Sequence, residues 1–275
     1  MKMKRKHLAN VLCIAVLLTA GISCSNNKEK TEAERKENDL WYKQQIEQDI
    51  ASGRDLNLPL PEGRNQYTHL HEAALGDYIE SAKMLISKGV NVDPRDRTDA
   101  TPLHRAVQTG SVQIAKLLIE NGANIEAKDK SGESPLFWAY HAPRNQKAII
   151  QLLLDSGAKH EIQDKYGTTP FMMFASFGNT VAMAILLEKG VDVNHVNKTG
   201  YTALHLAAWD GHDKAVRILL ENDAEVNLIS ETQKTPLDCA LIPLEWKEAS
   251  PWGKRKSVSL IKKHGGKKAS ELKTP

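Results

Sequence analysis

The sequence predicts an all-α solenoid of stacked helix pairs, and three observations predict it. Hydroxyl anchors recur along most of the chain, a proline follows most of them, and the second half of each interval has the apolar spacing of a helix. The anchors are Thr68, Thr101, Ser134, Thr169, Thr202 and Thr235, separated by 33, 33, 35, 33 and 33 residues. A period of this size marks an array of one supersecondary unit, because a single helix pair cannot bury its apolar face and must stack on its neighbour.

The composition suits such an array. Of the 275 residues, 41% are hydrophobic and 26% charged, which excludes a multi-pass membrane protein and a wholly disordered chain. The formal net charge of +3 arises in residues 1–23, whose Lys2, Lys4, Arg5 and Lys6 face no acidic residue; beyond them 33 basic groups meet 34 acidic ones. Bulk charge therefore gives no argument for nucleic-acid binding. Cys13, Cys24 and Cys239 are too few and too scattered for a disulfide framework or a zinc site.

The start of the chain reads as an export signal: the four basic residues precede an apolar run from Leu8 to Ala20. That run falls short of the roughly 20 residues a membrane-spanning helix needs. Gly21-Ile22-Ser23-Cys24 resembles the lipobox of bacterial lipoproteins, although Gly21 stands where that family usually has a branched aliphatic residue. The resemblance implies a signal peptide over 1–23, lipidation of Cys24 and attachment to a membrane of the cell envelope, with Ser25 pointing to the outer membrane or periplasmic face. Residues 25–39 carry a single apolar side chain, Ala33, so 24–39 is expected to be a disordered tether. Residues 40–67 match only the second helix of a unit and a loop, and are read as an N-terminal cap.

Six units are then expected, at 68–100, 101–133, 134–168, 169–201, 202–234 and 235–266. In each, Thr or Ser is a good N-cap, and Pro suits the first helical turn, where its missing N–H has no partner to lose. The first helix is expected to close near Gly76, Gly110, Gly178 and Gly211. A second helix shows in Val112, Ala115, Leu117, Leu118 and Ile119, and again in Ala215, Val216, Ile218, Leu219 and Leu220. Asp or Asn set before Gly in 129–133, 164–168 and 197–201 predicts tight turns projecting as fingers. Thr235 stands 25 residues before Leu260, where Thr101 stands 16 before Leu117, and the nine extra residues predict an inserted loop near 243–257 containing Pro243, Trp246, Pro251 and Trp252. Residues 267–275 read as a basic disordered tail.

Thr101-Pro102-Leu103-His104-Arg105-Ala106, Thr202-Ala203-Leu204-His205-Leu206-Ala207 and their counterparts at the other anchors resemble the ankyrin repeat, whose period is 33 residues. The resemblance covers 68–266 and implies that Thr101, Pro102, His104, Thr202 and His205 serve the stack. It also implies a concave surface for protein partners, lined by finger tips and first-helix ends. Those offsets select Lys130, Lys165, Lys198 and Tyr166 at the tips, with Tyr201 beside them, and His141, Phe177 and Trp209 at the helix ends. Tyr166, Phe177, Tyr201 and Trp209 are expected to form one aromatic patch, a composition suited to interface anchors. Asp96, Asp129 and Asp164 precede three of the basic tip residues and are expected to offset their charge.

Neither a metal-binding His or Cys pattern nor a phosphate loop nor a nucleophile elbow appears in the sequence. The expectation is a non-enzymatic protein with no cofactor, metal or small-molecule substrate, binding another protein in the envelope. Immunity to a toxic enzyme, envelope stress protection and a secreted, host-directed role are the alternatives. Cys239, in a first helix beside Ala240, reads as a small apolar filler.

Overall fold

The computed structural model describes residues 31–61, 65–242 and 251–272. Cys24, the expected export signal, residues 24–30 of the expected tether, and Pro243 and Trp246 of the expected insertion lie outside them. Among the described residues the chain forms fourteen α-helices and one short 3-10 turn, with no strand.

Twelve of the helices form two rows beside a leading helix. The inner row is α2 (His69–Gly76), α4 (Pro102–Thr109), α6 (Pro135–Trp138, extended by a 3-10 turn over Ala139–His141), α8 (Pro170–Ser176), α10 (Ala203–Asp210) and α12 (Pro236–Leu241). Outside them lie α1 (Glu32–Ala51), α3 (Ile79–Ser87), α5 (Val112–Glu120), α7 (Gln146–Asp155), α9 (Thr180–Leu187), α11 (Asp213–Glu221) and α13 (Pro251–Lys263). A short α14 (Ala269–Leu272) follows. Neighbours within each row touch, and each inner helix touches its outer partner, so one apolar core runs unbroken from Tyr42 to Ile261. Leu118 and Leu219, at the same place in the second and fifth units, are fully buried in it.

The repeated motif explains why the stack holds its register. The N–H of Thr68, Thr101 and Thr202 donates to Nδ1 of His71, His104 and His205 at 3.2, 3.1 and 3.1 Å. Nδ1 is therefore the acceptor and Nε2 carries the hydrogen. From Nε2 each ring donates to the last carbonyl of its own unit, just before the next anchor: Ala100 at 3.1 Å, Glu133 at 3.2 Å and Lys234 at 3.2 Å. One imidazole thus caps its own helix and pins the end of its unit, where the next one begins. The sixth unit carries Asp238 at the histidine position, whose Oδ2 accepts from the N–H groups of Thr235 and of Ala269 at the start of α14.

The fingers are joined in the same way. Asp96, Asp129, Asp164 and Asn197 each use Oδ1 to accept two N–H groups of their own turn. Between fingers, the N–H of Arg97, Lys130, Lys165, Lys198 and Glu231 donates to the carbonyls of Asn65, Thr98, Ser131, Tyr166 and Thr199. The turns form one continuous hydrogen-bonded row.

Four expectations need correction. Residues 31–39 are not a tether: Thr31 opens α1 with a capping box, and Asp39 is buried, its carboxylate accepting from the N–H groups of Glu80 (2.8 Å) and Ser81 (3.0 Å). The charged surface of α1 disguises a helix whose buried stripe is only Asp39, Tyr42 and Ile46. At the other end, Ala269–Leu272 of the expected disordered tail is helical and Ala269 is buried. Residues 251–257 of the expected inserted loop are the first half of α13, which lies against α11 and α12. Finally, the left-handed residue closing the first helix of unit one is Asp77 (φ 60°) and not Gly76. Its equivalents are Gly110, Asn145, Gly178 and Gly211, which places the two extra residues of the third unit between its helices.

Candidate protein-binding face

The finger row and the adjoining inner-helix ends hold every residue that the sequence singles out for partner contact. Tyr166 stands 58% exposed at a finger tip with the Lys165 ammonium 4.9 Å from its ring centre. Phe177, 52% exposed just beyond α8, stacks on Tyr140 at 4.2 Å and 16°. Tyr140 in turn lies 3.8 Å from the exposed His141 ring. Tyr201 and Trp209 are half-buried and meet edge to face at 6.2 Å and 72°, with the Lys234 ammonium 5.1 Å from the indole. Tyr201 also packs its ring on His205 and shares a 2.7 Å hydrogen bond with Thr232.

The four aromatics are not joined ring to ring into a single cluster. Among the described residues no ring contact joins Phe177 or Tyr166 to Tyr201 or Trp209; there are two pairs and a separate tip ring. Sequence offsets pointed to Phe177 but missed Tyr140, the ring it rests on, because the two come from neighbouring units and share no motif position.

The basic tip residues act as struts. Lys130 Nζ donates to the carbonyl of Arg97 at 2.7 Å and Lys198 Nζ to that of Lys165 at 2.9 Å. Along the neighbouring column Arg95 Nη1 reaches the Lys128 carbonyl at 2.8 Å and Lys128 Nζ the Gln163 carbonyl at 3.0 Å. All of these cations remain exposed. Asp96 and Asp164, expected to offset them, are buried, and Asp129 is partly so. The Asp96 carboxylate is held by Arg105, whose Nη2 stands 2.6 Å from Oδ2, and the second oxygen of Asp129 accepts from the Trp138 indole at 3.1 Å. The guanidinium of Arg105 is itself sandwiched between the rings of Tyr67 and Trp138, at 5.1 and 4.7 Å. Burial acts to raise the Asp96 carboxyl, but Arg105 and the hydrogen bonds from Thr98 together outweigh it and hold it below the usual carboxylate range. In the opposite sense, burial and the carboxylates of Asp129 and Asp164 push Glu133 up to about 7.

Thr101, Pro102, His104, Thr202 and His205 are all buried, in keeping with the structural part the motif gives them. Cys239 is fully buried, and burial pushes its thiol up to about 12, which makes it a poor nucleophile.

A family model of ankyrin repeats, three copies long, matches residues 43–129, 70–164 and 136–230. The chain belongs to the ankyrin-repeat family. Among solved structures it is similar to an ankyrin repeat domain of Acinetobacter baumannii, with 32% identity over 72% of this chain and 98% of that one, at a TM-score of 0.58. It is also similar to the ankyrin repeat domain of human ASB11, with 29% identity over 76% of this chain and 93% of that one, at a TM-score of 0.62. No curated protein matches the sequence. Ankyrin repeat domains are typically non-catalytic scaffolds that bind proteins, and this stack is a protein-binding module of that kind.

Proposed function

We propose that this ankyrin stack is held at a membrane of the bacterial cell envelope by lipid on Cys24 and binds a protein partner there through Tyr166, the Tyr140–Phe177 stack and the Tyr201–Trp209 pair, without performing chemistry itself. The observation that carries the binding half is the exposure of Tyr166 and Phe177, two large rings that the stack does not need to bury. Support for the tether is the apolar run ending just before Ser23-Cys24.

Two measurements test the proposal. Mass spectrometry of the mature N-terminus, with membrane fractionation of the parent and of Cys24→Ser, is expected to find acylated Cys24 and release or non-processing of the variant. A mature N-terminus at any other residue ends the tether. Affinity capture from envelope extract with the full chain is expected to retain a protein that is lost when Tyr166, Phe177 and Trp209 are replaced by alanine. Undiminished retention by those variants overturns the assigned face.

A further inference from the structure

The finger row carries a charge pattern that the overall composition conceals. Across the first four fingers the exposed tip positions hold Arg95, Arg97, Lys128, Lys130, Lys165 and Lys198, and the exposed acid among them is Asp99. The aspartates adjacent in sequence are turned inward: Asp96 pairs with Arg105, and Asp129 is held by its own turn and by Trp138. What faces solvent is a basic ridge on a body in which acidic residues otherwise balance basic ones. Because each finger is hydrogen-bonded to the next through its backbone, and Lys130 and Lys198 are tied to the preceding finger, the cations are spaced by the repeat itself. A ligand would bind them without first paying to order them. Tyr166 lies within this ridge, its exposed ring beside the Lys165 ammonium.

We propose that the ridge formed by fingers 95–99, 128–132, 163–167 and 196–200 docks an extended acidic segment of a protein, with carboxylates facing Lys130, Lys165 and Lys198 and a bulky apolar side chain set against Tyr166. This rests on the protein-binding reading above and adds the chemical class of the partner. A protein segment fits better than a nucleic acid for two reasons. Exposed Glu231 on the next finger and Asp99 on the first bound the ridge with negative charge, so a uniform polyanion running past either end is repelled. The exposed ring at Tyr166 matches a side chain amid carboxylates and is single, whereas stacking of successive bases needs a series of rings.

The test uses the full chain and a fluorescent peptide alternating Glu and Gly around one central Phe, followed by anisotropy at low and high salt. Saturable binding that weakens with salt is expected. A triple variant, Lys130→Gln, Lys165→Gln, Lys198→Gln, keeps an amide donor for the strut carbonyls but removes the charge, and is expected to weaken binding by about tenfold or more. The control, Lys83→Gln, Lys116→Gln, Lys147→Gln on the outer helices, is expected to bind like the parent. Circular dichroism melts establish that both triples fold. Absence of saturable binding, equal loss in the control, equal binding of the matching Lys peptide, or tighter binding of an oligothymidylate would each overturn the proposal. If the captured partner is lost with the aromatic variants but held by the folded Lys130, Lys165 and Lys198 triple, the acidic segment is wrong and the protein-binding reading stands. Capture of no partner at all overturns that reading instead.

Discussion

Arg144 in the third unit donates from Nη2 to Oδ2 of Asp77 in the first, at 2.7 Å, across the whole of the second. The same carboxylate accepts from Arg35 of α1 at 3.3 Å, and Arg144 Nε also holds the carbonyl of Thr109 in the unit between. Repeat stacks are usually fastened between neighbours only. Here the two extra residues of the third unit push Arg144 back along the stack, against Gly110, where a Cβ would collide with the Arg144 carbonyl. The long repeat is thus a buckle tying α1 and three units together.

Because both side chains are about four-fifths buried, at 21% exposure each, the pair should contribute measurably to stability. A double-mutant cycle of Arg144→Ala and Asp77→Ala in urea is expected to give a coupling of about 0.5 to 1 kcal/mol. A coupling indistinguishable from zero would leave packing alone as the link.

Asp39 extends the same theme to the N-terminal end, because its carboxylate caps α3 from outside the helix. Asp39→Ala should cost about 1 to 3 kcal/mol by leaving the N–H groups of Glu80 and Ser81 without their acceptor. Truncation to Leu40 should do the same. An unchanged melting temperature in both would show that α1 contributes nothing to the stack.

The core assignment predicts that Leu118→Ala and Leu219→Ala each destabilise the fold by about 2 to 5 kcal/mol, as fully buried leucines do. Equilibrium denaturation measures it, and a small change in either would mean that the helical face is wrongly placed.

Acid should loosen the stack. Burial pulls His104 down to about 3, and His71 and His205 down to about 4, in each case below the unfolded value of 6.5. A folded pKa below the unfolded one gives stability that is complete above about 6.5 and is lost as pH falls towards the folded values. The structural cause is direct, since protonating Nδ1 removes the acceptor that caps the helix. Glu133, raised to about 7, acts in the opposite sense, so its stability is lost as pH rises through that value. Glu133→Gln is therefore expected to steepen the loss of stability between pH 7 and the histidine range. A melting temperature independent of pH there, in both parent and variant, would contradict the assignment.

How much of this was readable in the sequence depends on which residues recur. The stack and its period follow from a local motif with six copies, and the duties of His104 and His205 from a histidine that three of those copies share. Asp39 acts on residues 41 and 42 positions away and Arg144 on one 67 away, each occurring once, so no periodicity exposes them. The same holds for His69, which takes the place of proline in the first motif and joins Tyr42 (2.9 Å) and Asp49 (2.8 Å) of α1. Charge was misread for another reason. In sequence Asp96 adjoins Arg97, yet the turn directs the carboxylate inward to Arg105 and the neighbouring side chain out to solvent.

The aromatic positions divide binding from folding. With a captured partner, alanine at Tyr166, Phe177 or Trp209 is expected to weaken affinity by about 1 to 2 kcal/mol or more, whereas His104→Ala should lower the folded fraction and leave the affinity of folded molecules unchanged. Titration against folded variants distinguishes the two; equal affinity for parent and all three aromatic variants would contradict the face.

The central claim, that the finger row and inner-helix ends are where this stack meets a protein, is tested most directly by hydrogen–deuterium exchange of the full chain with and without its captured partner. Slowed exchange is expected in the fingers 163–167 and 196–200 and at the ends of α8 and α10, with α5, α9 and α11 unchanged. Protection confined to those outer helices, with the fingers exchanging as in the free chain, would contradict it.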